Sequence, residues 1–103
     1  MENYKTITTD ELQEKIEKDE NLLLVDVRED EEVETGMIPG AIHIKMGDIP
    51  ERLDSFDKDK EYIFICRSGG RSGRVCSYLQ DQGYQVVNME GGMLDWKGEK
   101  VFK

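Results

Sequence analysis

Four short apolar runs constrain the fold of this chain more than any other feature of its sequence. They lie at residues 22–27, 41–44, 62–66 and 85–89. A short, nearly continuous apolar run is typical of a strand that is covered on both faces, as strands are in a parallel sheet. We therefore predict a strand at each of these four places.

Segments with helical periodicity alternate with these runs. Thr8 and Glu11 have the spacing of an N-terminal capping box, in which two side chains satisfy each other's backbone N–H groups. Apolar residues at helical spacing mark three helices, at Leu12 and Ile16, at Ile49, Leu53 and Phe56, and at Val75, Cys76 and Leu79. Gly83 is the predicted C-cap of the third helix, and a last short helix is predicted at residues 93–97. Strands that alternate with helices predict an α/β fold with a mainly parallel sheet and helices on both of its faces.

Length and composition exclude several other classes of protein. The 103 residues favour one domain over residues 1–103. No apolar run approaches the roughly 20 residues of a membrane span, and the N-terminus lacks the apolar core of a secretory signal, so we expect a cytoplasmic protein without membrane contact. Two cysteines and one histidine are too few for a disulfide scaffold or an ordinary metal site. A net charge of −9 disfavours binding to nucleic acid.

The most informative strand end is at Cys66, because ligands bind beyond the carboxyl ends of the strands in open α/β sheets. From there the chain passes through a glycine-containing loop into a helix that we predict to begin near Arg71. Backbone N–H groups in such a loop can turn inward and bind an anion. Two adjacent glycines permit the backbone angles that this requires. The predicted loop consists of Cys66, Arg67, Ser68, Gly69, Gly70, Arg71 and Ser72, and is called the Cys66 loop below.

We expect Cys66 to be a nucleophile with a lowered pKa. Arg67, Arg71 and Arg74 place three guanidinium groups near it in an otherwise acidic chain. Cations and a helix N-terminus lower the pKa of a cysteine thiol from an ordinary value of about 8.5, and so favour the reactive thiolate. The alternative is an inert buried cysteine beside arginines that only cap the helix. The coincidence of strand, glycines, arginines and helix favours the nucleophile.

The Cys66 loop resembles the active-site loop of rhodanese domains. Three further segments resemble motifs of that family and follow the same order: residues 26–29 (Asp-Val-Arg-Glu), residues 36–44 (Gly-Met-Ile-Pro-Gly-Ala-Ile-His-Ile) and residues 88–96 (Asn-Met-Glu-Gly-Gly-Met-Leu-Asp-Trp). The resemblance spans roughly residues 4–96. Many members carry a histidine where this chain has Met37, so no active-site histidine is carried over.

The resemblance implies a five-stranded parallel sheet flanked by helices, and a sulfurtransferase that needs neither metal nor other cofactor. Cys66 would take the outer sulfur of thiosulfate or of a persulfide and hold it as its own persulfide. A thiol, or cyanide in an assay, would then remove it, as in other covalent nucleophilic catalysis. The partners implied are small sulfur donors and thiol acceptors, with a persulfide-exchanging protein as a further option.

Two other functions compete with this interpretation. Phosphatases and arsenate reductases also combine a cysteine and an arginine around an anion-binding loop, with five residues between the two. Here only four residues separate Cys66 from Arg71, which suits one sulfur atom better than a tetrahedral oxyanion. The other alternative is a sulfur-carrier or regulatory module that acts on a protein partner, and the sequence leaves this open.

Residues outside the loop have expected supporting roles. Asp26 and Arg28 follow a strand and are expected to brace the Cys66 loop from behind. His43 is expected to be a hydrogen-bonded residue of the sheet, and Trp96 an anchor in the core. Cys76 is expected to be a small core residue rather than a thiol that forms a disulfide with Cys66, because the helix should hold the two apart.

Two groups of residues are less specific. The acidic stretch at residues 29–34 is expected to be a solvated surface beside a helix N-terminus, although it could dock a partner. Core packing and an adaptable docking rim explain the methionines equally well. These are Met37, Met46, Met89 and Met93.

Overall fold

A five-stranded parallel sheet forms the centre of the computed structural model, which describes residues 4–102. The strands are β1 (Lys5–Ile7), β2 (Leu24–Asp26), β3 (Ile42–His43), β4 (Glu61–Ile65) and β5 (Gln85–Met89). Their spatial order is β1-β5-β4-β2-β3, and every neighbouring pair is parallel. The fold class predicted from the sequence is confirmed, and β4 occupies the centre of the sheet.

The helices begin and end close to the predicted positions. They are α1 (Thr9–Glu17), α2 (Asp30–Val33), a 3-10 helix (Met46–Ser55), α3 (Gly70–Asp81) and α4 (Gly92–Asp95). The capping box before α1 is formed: Glu11 N donates to Thr8 Oγ1 at 3.1 Å, and Thr8 N donates to Glu11 Oε1 at 2.9 Å. Gly83 lies just beyond α3 with a φ of +95°, the left-handed conformation that ends many helices.

The alternation of side chains along each strand divides the core into two layers. In β4, Tyr62 and Phe64 belong to one layer, whereas Ile63 and Ile65 belong to the other. The first layer includes the buried side chains of α3 and the 3-10 helix, namely Ile49, Val75, Cys76 and Leu79. The second includes those of α1 and α4 and the residue after it, namely Leu12, Met93 and Trp96. The sheet is therefore covered on both faces, as its apolar runs predict.

Three details of the secondary structure differ from the sequence prediction. The short helix α2 was not among the predicted helices. β1 was not among the predicted apolar runs because it is an edge strand in which Ile7 alone is buried. The stripe at Ile49, Leu53 and Phe56 lies along a 3-10 helix that ends at Ser55, not along an α-helix. Pro50 lies inside this helix, and a proline lacks the backbone N–H that an α-helix interior requires.

Three neighbouring strands bring their carboxyl ends to one edge of the sheet. β4 pairs with β2 and with β5, and the register aligns Asp26 with Ile65 and Phe64 with Asn88. Cys66, the residue after β4, therefore lies between the ends of β2 and β5. This edge is where an open α/β sheet binds its ligand.

Cys76 provides a test of the division between core and site. Its side chain is fully buried in the first core layer. We expect Cys76→Ala to lower the free energy of unfolding by about 1 kcal/mol through lost packing, and to leave the chemistry of Cys66 intact. Ser77→Ala, on the less buried face of the same helix, is the matched control for urea unfolding. A reversible disulfide between Cys66 and Cys76, found by peptide mapping after mild peroxide treatment, would contradict this expectation.

Candidate active site

The Cys66 loop connects the central strand to the longest helix through a tight turn. Cys66 directly follows β4, and Gly69 is the N-cap of α3 with a φ of +100°. A side chain at Gly69 would be strained by this angle, and its Cβ would lie 3.4 Å from the backbone nitrogen of Gly91. The strand, glycine loop and helix that the sequence predicts are thus present.

Hydrogen-bond donors of the loop converge on the sulfur of Cys66. Gly69 N donates to Sγ at 3.0 Å, and the hydroxyl Oγ of Ser72 lies 3.3 Å from it. The backbone N–H groups of Ser68 and Ser72 also act on the sulfur and lower the pKa of its thiol. The loop therefore forms a concave arrangement of donors, called the sulfur cradle below, that suits a negative charge at one sulfur atom.

Burial and hydrogen bonding act in opposite directions on the pKa of the Cys66 thiol. Burial is the largest single influence and raises it, but the bonds from the side chain and backbone of Ser72 and from the backbone of Gly69 and Ser68 together outweigh burial. The pKa is therefore lowered, in the predicted direction. The predicted cause was incomplete, because these hydrogen bonds contribute more to the lowering than the arginine side chains do.

Asn88 supports the cradle and was missed in the sequence analysis. It is buried near the end of β5, its Nδ2 donates to Gly69 O at 3.1 Å, and its Oδ1 is within hydrogen-bond distance of Ser72 Oγ. A hydroxyl has one proton, so Ser72 donates at any moment to one of three acceptors: Asn88 Oδ1, Gly69 O or the Cys66 sulfur. An asparagine inside an apolar strand was the available signal, since a buried amide requires partners.

The N-terminus of α4 holds the other side of the loop. Met93 N donates to Cys66 O at 2.9 Å, and Leu94 N donates to Arg67 O at 3.0 Å. Gly92 permits this approach, because a Cβ there would lie 2.4 Å from the carbonyl oxygen of Arg67. The sequence analysis marked this segment by its resemblance and by a predicted short helix, and the structure gives it a further role in supporting the loop.

Asp26 and Arg28 form a buried ion pair with exposed fractions of 0% and 4%. Arg28 donates to the Asp26 carboxylate through Nε at 2.9 Å and through Nη2 at 2.8 Å. The remaining bonds of Arg28 go to the carbonyl oxygens of Glu32 at 3.2 Å and Gly36 at 2.8 Å. These contacts hold residues 32–36, so the pair reaches the Cys66 loop indirectly, through Glu32 and Arg71.

Glu32 is the second residue that sequence reasoning missed. Its carboxylate accepts two hydrogen bonds from Arg71, at 2.7 Å from Nη1 and 2.6 Å from Nη2. The bonds from Arg71 are the main reason that the pKa of Glu32 falls to about 2. The interpretation of residues 29–34 as a solvated surface is therefore wrong for Glu32. Spacing could not show this contact, since 39 positions separate the two residues.

The predicted cluster of three arginines is not formed around the sulfur. Arg71 is engaged by Glu32, and Arg67 is exposed and borders a cavity of about 360 Å³ that also contacts Lys100. Arg74 lies on a separate groove of about 110 Å³ beside Tyr78. Arg74 lies one helical turn beyond Arg71, about 4.5 Å further along the axis of α3 from the loop.

The other singled-out residues are structural. His43 Nε2 lies 2.7 Å from Arg28 O, and Trp96 is buried with its Nε1 donating to Glu99 O at 2.9 Å, as expected for both. The core interpretation holds for three of the four methionines, Met37, Met89 and Met93, which are buried. Met46 is partly buried and borders the groove of Arg74.

Two properties of the described chain bear on cofactors and membranes. Between residues 4 and 102, no group of three or more His, Cys, Asp or Glu side chains is placed to hold a metal ion. Within the same range, none of the helices has the length and apolar character needed to cross a membrane.

Comparison with known proteins identifies the family. The model of the rhodanese-like domain matches residues 8–99. This chain belongs to the rhodanese-like family. The Bacillus subtilis protein named "Putative sulfurtransferase YtwF" is 65% identical over 95 residues, which are 92% of each chain. The thiosulfate sulfurtransferase GlpE of Coxiella burnetii is 32% identical over 95 residues, 91% of this chain and 88% of that protein.

A solved structure agrees with this membership. The crystal structure of a rhodanese-like domain protein from Staphylococcus aureus superposes with a TM-score of 0.90 at 45% identity, and the match covers 96% of this chain and 98% of that one. The family and the names of the relatives support a rhodanese-type sulfurtransferase. The sulfur cradle of this rhodanese-like domain therefore lies on the same fold as the Staphylococcus aureus protein.

The sulfur cradle predicts how Cys66 responds to pH. Only the thiolate is alkylated, so the iodoacetamide rate of the rhodanese-like domain should reach half its maximum below the pH expected of an ordinary thiol. Ser72→Ala removes a side-chain donor and should raise the pKa of Cys66. Ser68→Ala is the matched control, because Ser68 acts on the sulfur through its backbone N–H. Equal midpoints in the two variants would show that the Ser72 hydroxyl does not stabilise the thiolate.

The Glu32–Arg71 pair predicts a component of acid stability. The pKa of Glu32 falls from 4.5 to about 2 on folding, so the stabilisation is complete above about 4.5 and is lost as the pH falls toward about 2. Glu32→Gln should therefore be destabilised relative to the parent at about pH 7, and less so at about pH 3, in urea unfolding. Glu34→Gln, exposed on the same segment, controls for net charge. A difference independent of pH would contradict the pairing.

Proposed function

We propose that this protein transfers sulfane sulfur through a persulfide on Cys66. The observation that carries the proposal is the convergence of loop donors on a single sulfur atom, with Gly69 N at 3.0 Å and Ser72 Oγ at 3.3 Å. Such donors stabilise a thiolate before the reaction and a negatively charged persulfide after it. Membership of the rhodanese-like family supports the same chemistry.

In the first step the Cys66 thiolate attacks the outer sulfur of the donor. A new S–S bond forms at Cys66 while the donor's own S–S bond breaks and its electron pair leaves with the remaining fragment. Thiosulfate thereby releases sulfite, and a persulfide donor releases its thiolate. Two anions react and two anions result, so the step needs no external oxidant, reductant or proton, and its nucleophile is already activated.

In the second step an acceptor thiolate attacks the outer sulfur of the Cys66 persulfide. The acceptor leaves as a persulfide and Cys66 returns to the thiolate. Cyanide reacts in the same way and leaves as thiocyanate. Each half-reaction forms and breaks one bond at sulfur, which corresponds to ping-pong kinetics.

The cavity beside the loop is the proposed approach for donors and acceptors. Its volume is about 360 Å³, and Arg67 and Lys100 contribute cationic groups to its wall. Small anionic donors such as thiosulfate or a low-molecular-weight persulfide fit these properties, and the name of the Coxiella burnetii relative supports thiosulfate among them. The acceptor is proposed to be a thiol, carried by a small molecule or by a protein.

An intact-mass experiment tests the proposal. After incubation with thiosulfate, the protein should gain one sulfur atom, and cyanide should remove it with production of thiocyanate. Cys66→Ser should gain no sulfur and form no thiocyanate, because a serine hydroxyl is a poor nucleophile without a general base. Cys76→Ala is the matched control and should behave as the parent.

Two results would contradict the proposed function. One is a sulfur atom acquired by the Cys66→Ser variant. The other is hydrolysis of aryl phosphates by the parent at a rate comparable to its sulfur transfer, which would indicate that the loop serves a phosphatase.

A further inference from the structure

The charge of Arg71 is largely cancelled by a carboxylate at the end of the Cys66 loop. Arg71 is the last cation of the Cys66 loop, and both of its terminal nitrogens bond to the carboxylate of Glu32. The two side chains are 30% and 26% exposed, so solvent screens the pair only in part. The bidentate geometry holds the carboxylate against the guanidinium and leaves a local charge close to zero.

Glu32 is held in this position through both its side chain and its backbone. Its Oε1 accepts a hydrogen bond from Glu29 N at 2.9 Å, which closes the capping box of α2. Its carbonyl oxygen is bonded to Arg28, whose own charge is compensated by Asp26. A carboxylate fixed at both its backbone and its side chain costs little further conformational entropy when it engages Arg71.

The surroundings of the cradle therefore offer little excess positive charge. The charged residues that border the neighbouring cavity are Arg28, Arg67 and Lys100 on one side of the balance and Glu31 and Glu32 on the other, and the charge of Arg28 is already compensated by Asp26. The chain as a whole carries a net charge of −9, which repels anions at longer range. The electrostatic penalty of approach grows with the charge of the donor.

We propose that Glu32 sets the donor preference of the Cys66 site by cancelling the charge of Arg71. The preferred donor class is then a monoanionic persulfide rather than the dianion thiosulfate. The inference rests on the proposed function and concerns the first half-reaction, in which either donor supplies its outer sulfur to Cys66. Glu32 acts through its charge, on Arg71 and on the cavity that it borders, and takes no part in the bond changes at sulfur, so it is a specificity-determining residue and not a catalytic one.

A double-mutant cycle that removes the charges of Glu32 and Arg71 tests the inference. The measured quantity is the ratio of kcat/KM for thiosulfate to kcat/KM for cysteine persulfide, with the same acceptor for both. Glu32→Gln frees the cation of Arg71 and should raise this ratio by about 3- to 10-fold at low ionic strength. Arg71→Gln leaves the carboxylate uncompensated and should lower the ratio by a similar factor.

The double variant separates charge from structure. Glu32→Gln combined with Arg71→Gln restores a neutral pair whose amides can still bond to each other, so its ratio should return close to that of the parent. Glutamine can also still accept the bond from Glu29 N, which keeps the start of α2. Glu34→Gln removes one charge from the same segment and should leave the ratio unchanged.

The outcomes distinguish this inference from the proposed function. Raising the ionic strength should compress the differences between the variants, because salt screens charges and does not restore lost packing. A ratio that follows loss of thermal stability rather than charge, or that rises equally in Glu34→Gln, would overturn the role of Glu32. A parent protein that takes sulfur from neither donor would instead overturn the proposed function.

Discussion

The outward carbonyl groups of the Cys66 loop are the constraint on which the site depends. A backbone whose N–H groups converge on one sulfur must turn its carbonyl groups the other way, and these need donors of their own when they are buried. Met93 N and Leu94 N bond to the carbonyls of Cys66 and Arg67, and Asn88 Nδ2 bonds to that of Gly69. The cradle therefore depends on α4 and β5, because they supply the hydrogen-bond donors for the carbonyl groups on its outer side.

This dependence explains why distant segments share one site. The loop lies between β4 and α3, but its support comes from the end of β5, from the glycines before α4 and, through Glu32, from α2. Gly92 is needed where the backbone of α4 comes against that of the loop. A sheet of parallel strands makes this arrangement possible, because it brings the carboxyl ends of β2, β4 and β5 together.

The site also separates two electrostatic tasks. The sulfur is stabilised by nearby hydrogen bonds, which act over about 3 Å and depend on orientation. The guanidinium groups act over longer distances, and the structure distributes them: Arg28 to Asp26, Arg71 to Glu32 and Arg67 to the edge of a cavity. The pKa of a cysteine thiol can thus be lowered within an acidic protein without a concentration of free cations around it.

Much of the fold could be predicted from the sequence, because it depends on local patterns. Apolar runs predicted four of the five strands, and the Thr8 capping box and Gly83 correctly placed the ends of two helices. β1 escaped prediction because an edge strand of three residues buries one side chain. The apolar stripe at Ile49, Leu53 and Phe56 predicted an α-helix. The segment forms a 3-10 helix instead, and Pro50 lies inside it.

For the site, the sequence by itself determined the nucleophile candidate and its loop, since a strand, a glycine pair and a helix start are adjacent in the chain. Only the tertiary structure decided what surrounds them. Asn88 and Glu32 reach the loop across long separations in sequence, whereas Arg74, one helical turn further along α3, borders a separate groove. The physical reason is that backbone turns follow from neighbouring residues, whereas the partners of a buried donor or a charge depend on how separate elements pack.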